Sequence, residues 1–292
     1  MDHKINIFST ALFSTWINVE DLNLLIDCGD GLSAGLMQKS RKIKYVFVTH
    51  PDRDHMDGLP QFVQLNARED FPIIHFPKDS GSFPAMKGFL DQFDPHVQEV
   101  KWIGIEDQQQ VPIAKNYEIQ ALRNEHVKAP LGVHKSLSYK LYEVKEKLKA
   151  KYGHLSSSEI AGIAQEHGKG ELTEIVKRKV ISFSGDTPVD DYAKWDHSEV
   201  LLHECTFLRP EKNRAGVSWN EKHSQLEDVL RMVSEINIGK LVLSHFSTRY
   251  SREEIIDCTL AGLKKFNIQV PVHLVLPGEL KMDVLSSKAI NE

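Results

Sequence analysis

Thr49-His-Pro-Asp-Arg-Asp-His-Met-Asp-Gly58 places two imidazoles and three carboxylates within ten residues, directly after the apolar run Tyr45–Val48. His50, Asp52, Asp54 and His55 are spaced so that one tight loop presents them from alternate sides toward neighbouring points. Imidazole nitrogen and carboxylate oxygen are the donors that borderline and hard divalent cations take, and two ions roughly 3.5 to 4 Å apart can share a bridging carboxylate. The same loop also reads as a solvated acidic turn, because Pro51, Asp52, Arg53 and Asp57 are ordinary loop residues. The rest of the chain has to separate the two readings.

Four apolar runs end in the same way. Lys44–Thr49 leads into His50, Val180–Gly185 into Asp186, Val200–Leu202 into His203-Glu204, and Leu241–Ser244 into His245. Layered α/β folds build their sites at the carboxyl ends of strands, and four such termini argue against four unrelated polar turns. Leu22–Ile26 and Val272–Leu276 read as two further buried strands. Helix starts are signalled by the capping boxes Ser224-Gln-Leu-Glu227 and Ser251-Arg-Glu-Glu254 and by Thr187-Pro188. Behind Ser224, the residues Leu226, Val229, Leu230, Val233 and Ile236 fall on one helical face. The pattern predicts an α/β chain with helices packed on sheets. Between about Val144 and Lys179, the series Lys145, Lys147, Lys149 and Lys151, followed by Ser156-Ser-Ser-Glu159, is read as a helical insertion between two strands.

Composition narrows the class. A chain of 292 residues with 41% hydrophobic and 26% charged residues fits one large soluble domain, expected over 1–292. The net charge of -5 lacks the global basic footprint of nucleic-acid-binding domains, so a nucleic-acid partner would have to be held by local patches. Three scattered cysteines exclude a disulfide framework. The start of the chain lacks a secretory pattern, and no run of about 18 apolar residues suits a membrane span. The expected location is the cytosol.

With these residues in hand, the chain resembles the metallo-β-lactamase superfamily, whose loop signature is His-x-His-x-Asp-His, and within it the short-form ribonuclease Z family of tRNA 3′-processing endonucleases. Asp27-Cys-Gly-Asp-Gly31, Ser184-Gly-Asp-Thr187, His203-Glu-Cys-Thr-Phe207 and His245-Phe-Ser-Thr-Arg-Tyr250 support the narrower resemblance in order and spacing. It implies a four-layer αββα fold carrying two divalent ions, zinc by family habit. The first ion would be held by His50, residue 52, His126 and Asp186, and the second by Asp54, His55, Asp186 and His245. Asp27 would orient a ligand histidine from behind.

The chain departs from the family at residue 52, where Asp52 stands in place of histidine. That harder donor shifts preference toward manganese, iron or magnesium, or weakens the first site. The third motif has two readings, His126 after the strand Tyr117–Leu122 and His134 closer to Ser138-Tyr139.

The resemblance implies hydrolysis of a phosphodiester by activated water, with Asp54 helping to deprotonate it. His223, in Lys222-His223-Ser224, would protonate the leaving 3′-oxygen, and Glu204 would hold that imidazole. Gln225 replaces the family's threonine after Ser224. Backbone phosphates of a precursor tRNA would meet Lys147, Lys151, Lys177, Arg178, Lys179 and Arg249, in a homodimer whose arm presents RNA to the other subunit. Two other functions remain open at this stage: a small-molecule diesterase acting on cyclic nucleotides, and a catalytically silent RNA- or partner-binding protein, the latter favoured by Asp52.

Overall fold

Alternation along the strands decides the architecture, because each strand has to cover two different neighbours. The computed structural model describes residues 3–94, 97, 99–210 and 221–292. The first sheet has six strands in sequence order: β1 (Ile5–Thr10), β2 (Ser14–Val19), β3 (Leu24–Ile26), β4 (Tyr45–Phe47), β5 (Ile73–Pro77) and β6 (Lys101–Ile105). It is antiparallel from β1 to β3 and parallel from there on. The second sheet has seven: β7 (Gln110–Ala114), β8 (Tyr117–Arg123), β9 (Leu137–Leu148), β10 (Thr173–Phe183), β11 (Ser198–Glu204), β12 (Ile238–Ser244) and β13 (Val272–Leu274). It is antiparallel up to β10 and parallel beyond.

The helices are α1 (Leu32–Leu36), α2 (Arg53–Met56), α3 (Leu59–Asn66), α4 (Ser82–Phe93), α5 (Ser157–His167), α6 (Lys169–Leu172), α7 (Leu226–Glu235) and α8 (Arg252–Lys265). In β4, Phe47 joins the core between the sheets while Val46 packs under α3 and α4 with Phe62, Val63 and Phe83. Leu202 and Val242 point inward in the same way, and Leu201, Leu241 and Leu243 lie under Val229 and Leu230 of α7 and Ile255 of α8. Two-residue alternation therefore yields three apolar clusters and four layers, αββα, as the sequence resemblance implies.

Three local expectations are corrected. The segment 144–179 is not helical throughout. Lys145 and Lys147 lie on β9, paired with Val176 and Glu174 of β10, and only the stretch from Ala150 to Leu172 is helical. The two-residue spacing of the lysines is that of a strand with one solvated face, not of a helix. Within the arm, the Ser156/Glu159 capping box does form.

The expected box at Ser224 does not. The helix starts at Leu226 behind Gln225, and the Ser224 hydroxyl donates instead to the Thr187 carbonyl at 2.6 Å. No helix starts at Thr187-Pro188, and the Thr187 amide donates to Glu204 at 3.0 Å. The Ser251/Glu254 box forms as expected.

His75 on β5 faces Phe47 across the ladder, with ring centroids 4.3 Å apart, and its Nδ1 lies 3.3 Å from the Val46 carbonyl. Burial pushes its pKa down to about 4. The unfolded chain therefore takes up a proton below about pH 6.5 that the folded chain refuses, so stability is lost as pH falls from there toward 4, by about 3 kcal/mol at most. In urea unfolding with chelator present, the loss of stability between pH 7.5 and 4.5 is expected to shrink in His75→Leu. An unchanged loss contradicts the assignment.

Candidate metal centre

The ends of β3, β4, β10 and β12 lie along one rim of the sandwich, and the backbone there is forced into unusual conformations. Asp27 (φ 57°), His245 (φ 62°) and Leu12 (φ 69°) are left-handed residues without the freedom of glycine. Such positions cost of order 1 kcal/mol or more each and persist only where the surroundings fix them. Gly58 is needed where α2 meets the loop after β3: a Cβ would sit 2.2 Å from the Gly29 carbonyl oxygen. That close approach brings Asp27 against the loop bearing His50 and His55.

The side chains form two groups around one carboxylate. His50, Asp52 and His126 present donor atoms within 4.8 Å of one another, and Asp54, His55 and His245 do the same. Asp186 stands between them. Its Oδ2 is 3.7 Å from His50 Nε2 and 3.4 Å from His55 Nε2, and its Oδ1 is 3.5 Å from His245 Nε2. Asp52 Oδ2 lies 3.4 Å from His126 Nε2 and 3.7 Å from His50 Nε2, so the aspartate in the histidine's place reaches the first group although its side chain is 56% exposed. His134 lies elsewhere: its Nδ1 accepts from the Asp107 amide at 3.3 Å.

The hydrogen bonds behind the rings fix the tautomers. His55 Nδ1 donates to Asp27 at 2.8 Å and His126 Nδ1 to the Lys222 carbonyl at 3.0 Å. The Thr49 hydroxyl donates to Asp27 (2.9 Å) and so accepts from His50 Nδ1 at 2.9 Å. The Thr206 hydroxyl donates to Glu204 (2.7 Å) and so accepts from His245 Nδ1 at 2.9 Å. All four rings therefore turn Nε2 inward, the arrangement expected of metal-bound imidazoles. The Nε2 atoms of His50 and His55 are buried without a hydrogen-bond partner, a cost in free energy that a bound cation would remove. Donor set, tautomers and unpartnered nitrogens all fit divalent ions.

Opposite charges shift one another's protonation within the cluster. Burial opposes ionisation of Asp186, but His245 and His55 hold its pKa well below the carboxylate range. Burial likewise opposes a charge on His55, yet Asp186 and Asp27 raise it well above the usual imidazole value. His50, pressed by burial and by His55 and His126, is driven well below it. A cation entering the site has to displace the proton of His55, so binding tightens as pH rises.

Glu204 and His223 form a pair at the edge of the cluster, with His223 also within 4.8 Å of ligand atoms of His126 and Asp186, and both within 4.8 Å of His245. His223 Nδ1 is 3.1 Å from Glu204 Oε1 and 3.7 Å from Asp186 Oδ2. Burial works against the imidazolium, but Glu204 and Asp186 raise its pKa to about 9. Glu204 accepts from Thr187 N, Thr206 N and Thr206 Oγ1, so it is an orienting carboxylate. His203 donates from Nδ1 to the Glu204 carbonyl (2.7 Å) and lies edge-on to Trp195, outside the ligand groups.

The basic residues separate into two kinds. Arg178 pairs with Glu143 and Glu199, and Lys179 donates to the carbonyls of Lys194 and Asp196. Lys177 pairs with Glu118, and Lys151 with Glu171 at 2.9 Å. Lys147 is exposed on the arm. Arg249 lies with its guanidinium 5.3 Å from the Phe207 ring centroid and lines the cleft with Asp54, His223 and His245. Sequence reasoning missed Thr49 and Thr206. Both stood next to residues already singled out, and the available signal was a hydroxyl adjacent to a ligand or two residues after a carboxylate.

Two imidazole–carboxylate groups on the rim of an αββα sandwich define a metal-dependent hydrolase, and residues 22–246 match the β-lactamase superfamily domain, so the chain belongs to that superfamily. Its curated relatives include ribonuclease Z enzymes. It is 27% identical over 278 residues to the chloroplastic tRNase Z of Arabidopsis thaliana, covering 92% of this chain and 74% of the relative. It is 28% identical over 272 residues to ribonuclease Z of Methanocaldococcus jannaschii, covering 83% and 82%. Among solved structures, the fold matches the metallo-β-lactamase fold protein YhfI of Bacillus subtilis (TM-score 0.63, 14% identity, 96% and 100% covered). It also matches the short form of human tRNase Z (TM-score 0.57, 16% identity, 96% and 99% covered).

The relay through Thr206 makes a testable demand. Thr206→Val is expected to weaken retention of divalent metal about 10- to 100-fold in a chelator titration, and Thr206→Ser to restore it. Equal retention by the valine variant contradicts the relay.

Proposed function

We propose that this chain is a metal-dependent endoribonuclease that removes the 3′ trailer of precursor tRNA. The observation that carries the reading is the Glu204–His223 pair, set against Asp186 at the edge of the ligand cluster. Hydrolysis of a phosphodiester has to protonate a leaving ribose 3′-oxygen, and a buried imidazole held in its charged form is suited to that transfer. His223 Nδ1 donates to Glu204, which leaves Nε2 for the leaving group. The ribonuclease Z relatives, spanning most of the chain, supply the substrate class.

On this reading His50, Asp52, His126 and Asp186 would hold one ion, and Asp54, His55, His245 and Asp186 a second. Zinc suits the four imidazoles; manganese, iron or magnesium suit the added carboxylate of Asp52. Bound there, divalent ions supply Lewis acidity toward the phosphoryl oxygens and lower the pKa of water. Asp54, whose Oδ2 accepts from the Leu12 amide at 2.9 Å, would take the proton of the attacking water. Lys147 on β9 and Arg249 at the cleft would meet backbone phosphates, which makes binding salt-dependent, whereas Lys151, Lys177 and Arg178 are held by Glu171, Glu118, Glu143 and Glu199 and Lys179 by two backbone carbonyls. The reading extends to a homodimer in which each arm presents RNA to the partner subunit, acting in the cytoplasm. Among the described residues no helix is long and apolar enough to cross a membrane.

Purified protein incubated with precursor tRNA and zinc or manganese is expected to cut next to the discriminator base. Absence of cleavage with every divalent metal overturns the proposal. His223→Ala is expected to slow cleavage about 10²- to 10⁴-fold while elemental analysis finds the metal content unchanged. A variant of full activity removes His223 from the reaction.

A further inference from the structure

The turn between β1 and β2 breaks two local rules at once. Tight hairpin turns favour glycine, asparagine and aspartate, because those residues tolerate left-handed backbone and solvent. Here Leu12 has φ 69° and is 86% exposed, and Phe13 beside it is 63% exposed. Adjacent residues that combine exposed apolar surface with backbone strain mark function where the surroundings hold them in place.

This turn is held in place. The Leu12 amide donates to Asp54 Oδ2 at 2.9 Å, the Ala11 amide to the Phe246 carbonyl at 3.3 Å, and the Phe13 amide to the Thr10 carbonyl at 3.0 Å. A metal-ligand candidate thus fixes the strained residue, and the apolar tip stands at a constant position relative to the cluster. Leu12 lines a cleft shared with Asp54, Asp186 and His223, which Phe207 also lines with the Arg249 guanidinium over its ring, and Phe13 follows Leu12 on the exposed tip of the turn, outside that lining. With divalent ions held by the cluster, a ligand that fills this cleft would be anionic where it meets the cluster and apolar beside it.

We propose that the Leu12-Phe13 turn, whose Leu12 shares the cleft with Phe207 and Arg249, is a platform for the nucleobase attached to the reacting phosphodiester. The inference rests on the nuclease reading above and adds the part of the nucleotide that the metal cluster cannot read. Unpaired bases gain their affinity for proteins chiefly by stacking on apolar and aromatic side chains, largely without regard to sequence. An RNA segment unpaired at the scissile bond presents such a base. A small cyclic nucleotide presents the same chemistry, and the substrates of the test separate the two sources.

The test is a cycle between base and turn. Precursor tRNA carrying an abasic ribose on either side of the scissile bond is compared with the unmodified RNA, using wild type and the Leu12→Asn/Phe13→Ser double variant. Wild type is expected to lose about tenfold or more in kcat/KM when one of the two bases is removed. The variant is expected to show that loss already on unmodified RNA and little more on the abasic RNA. Asparagine accepts a left-handed backbone, so the variant's melting temperature should match or exceed that of wild type, which separates the platform from a folding defect.

Equal losses on the abasic RNA in wild type and variant overturn the platform and leave the nuclease reading standing. Failure of wild type to cut unmodified RNA while hydrolysing a cyclic nucleotide overturns the nuclease reading. In that case a variant that hydrolyses the cyclic nucleotide as fast as wild type overturns the platform as well, and a tenfold slower one supports it with the smaller ligand.

Discussion

Four buried imidazoles have to turn the same nitrogen, Nε2, toward one small volume, and this is possible only because each Nδ1–H has a partner behind it. Two carboxylates carry most of that task. Asp27 takes His55 directly and His50 through the Thr49 hydroxyl, while Glu204 takes His223 directly and His245 through the Thr206 hydroxyl. Each carboxylate sits at the end of a strand in a different sheet, so both sheets orient the cluster, Asp27 holding one ring of each group and Glu204 holding His245 of the second. Asp186, at the end of β10, joins the two groups.

This constraint explains features of the fold that look costly in isolation. Asp27 and His245 adopt left-handed backbone without being glycine, because only that turn aims their side chains back along the rim. Gly58 admits the close contact that lets Asp27 reach both Thr49 and His55. The Ser224 hydroxyl is withdrawn from capping α7 to hold the Thr187 carbonyl, which steadies the segment after Asp186 whose amide feeds Glu204. Local helix stability is given up for the geometry of the site.

Much of this was legible in the sequence, for a physical reason. Strands buried on both faces are short apolar runs, and a ligand at the end of such a run stands out, so His50, Asp186, Glu204 and His245 were readable one by one. The layered architecture followed from the same runs. What was not legible depends on distant partners. Whether His126 or His134 faces the cluster is decided by the Lys222 carbonyl on one side and by Asp107 on the other, far away in the chain. Thr49 and Thr206 carry no signal of their own, since a threonine next to a histidine is ordinary until a carboxylate is found behind it. The arm was misread because lysine content suggested a helix where the two-residue spacing already described a strand.

Asp52 alters the donor set of the first group while standing within reach of both His50 and His126. Elemental analysis combined with anomalous scattering at the metal edges measures its role directly. The account predicts two ions per chain bridged by Asp186, with a carboxylate oxygen of Asp52 on the ion held by His50 and His126. A single ion confined to Asp54, His55 and His245, with Asp52 turned to solvent, would contradict it.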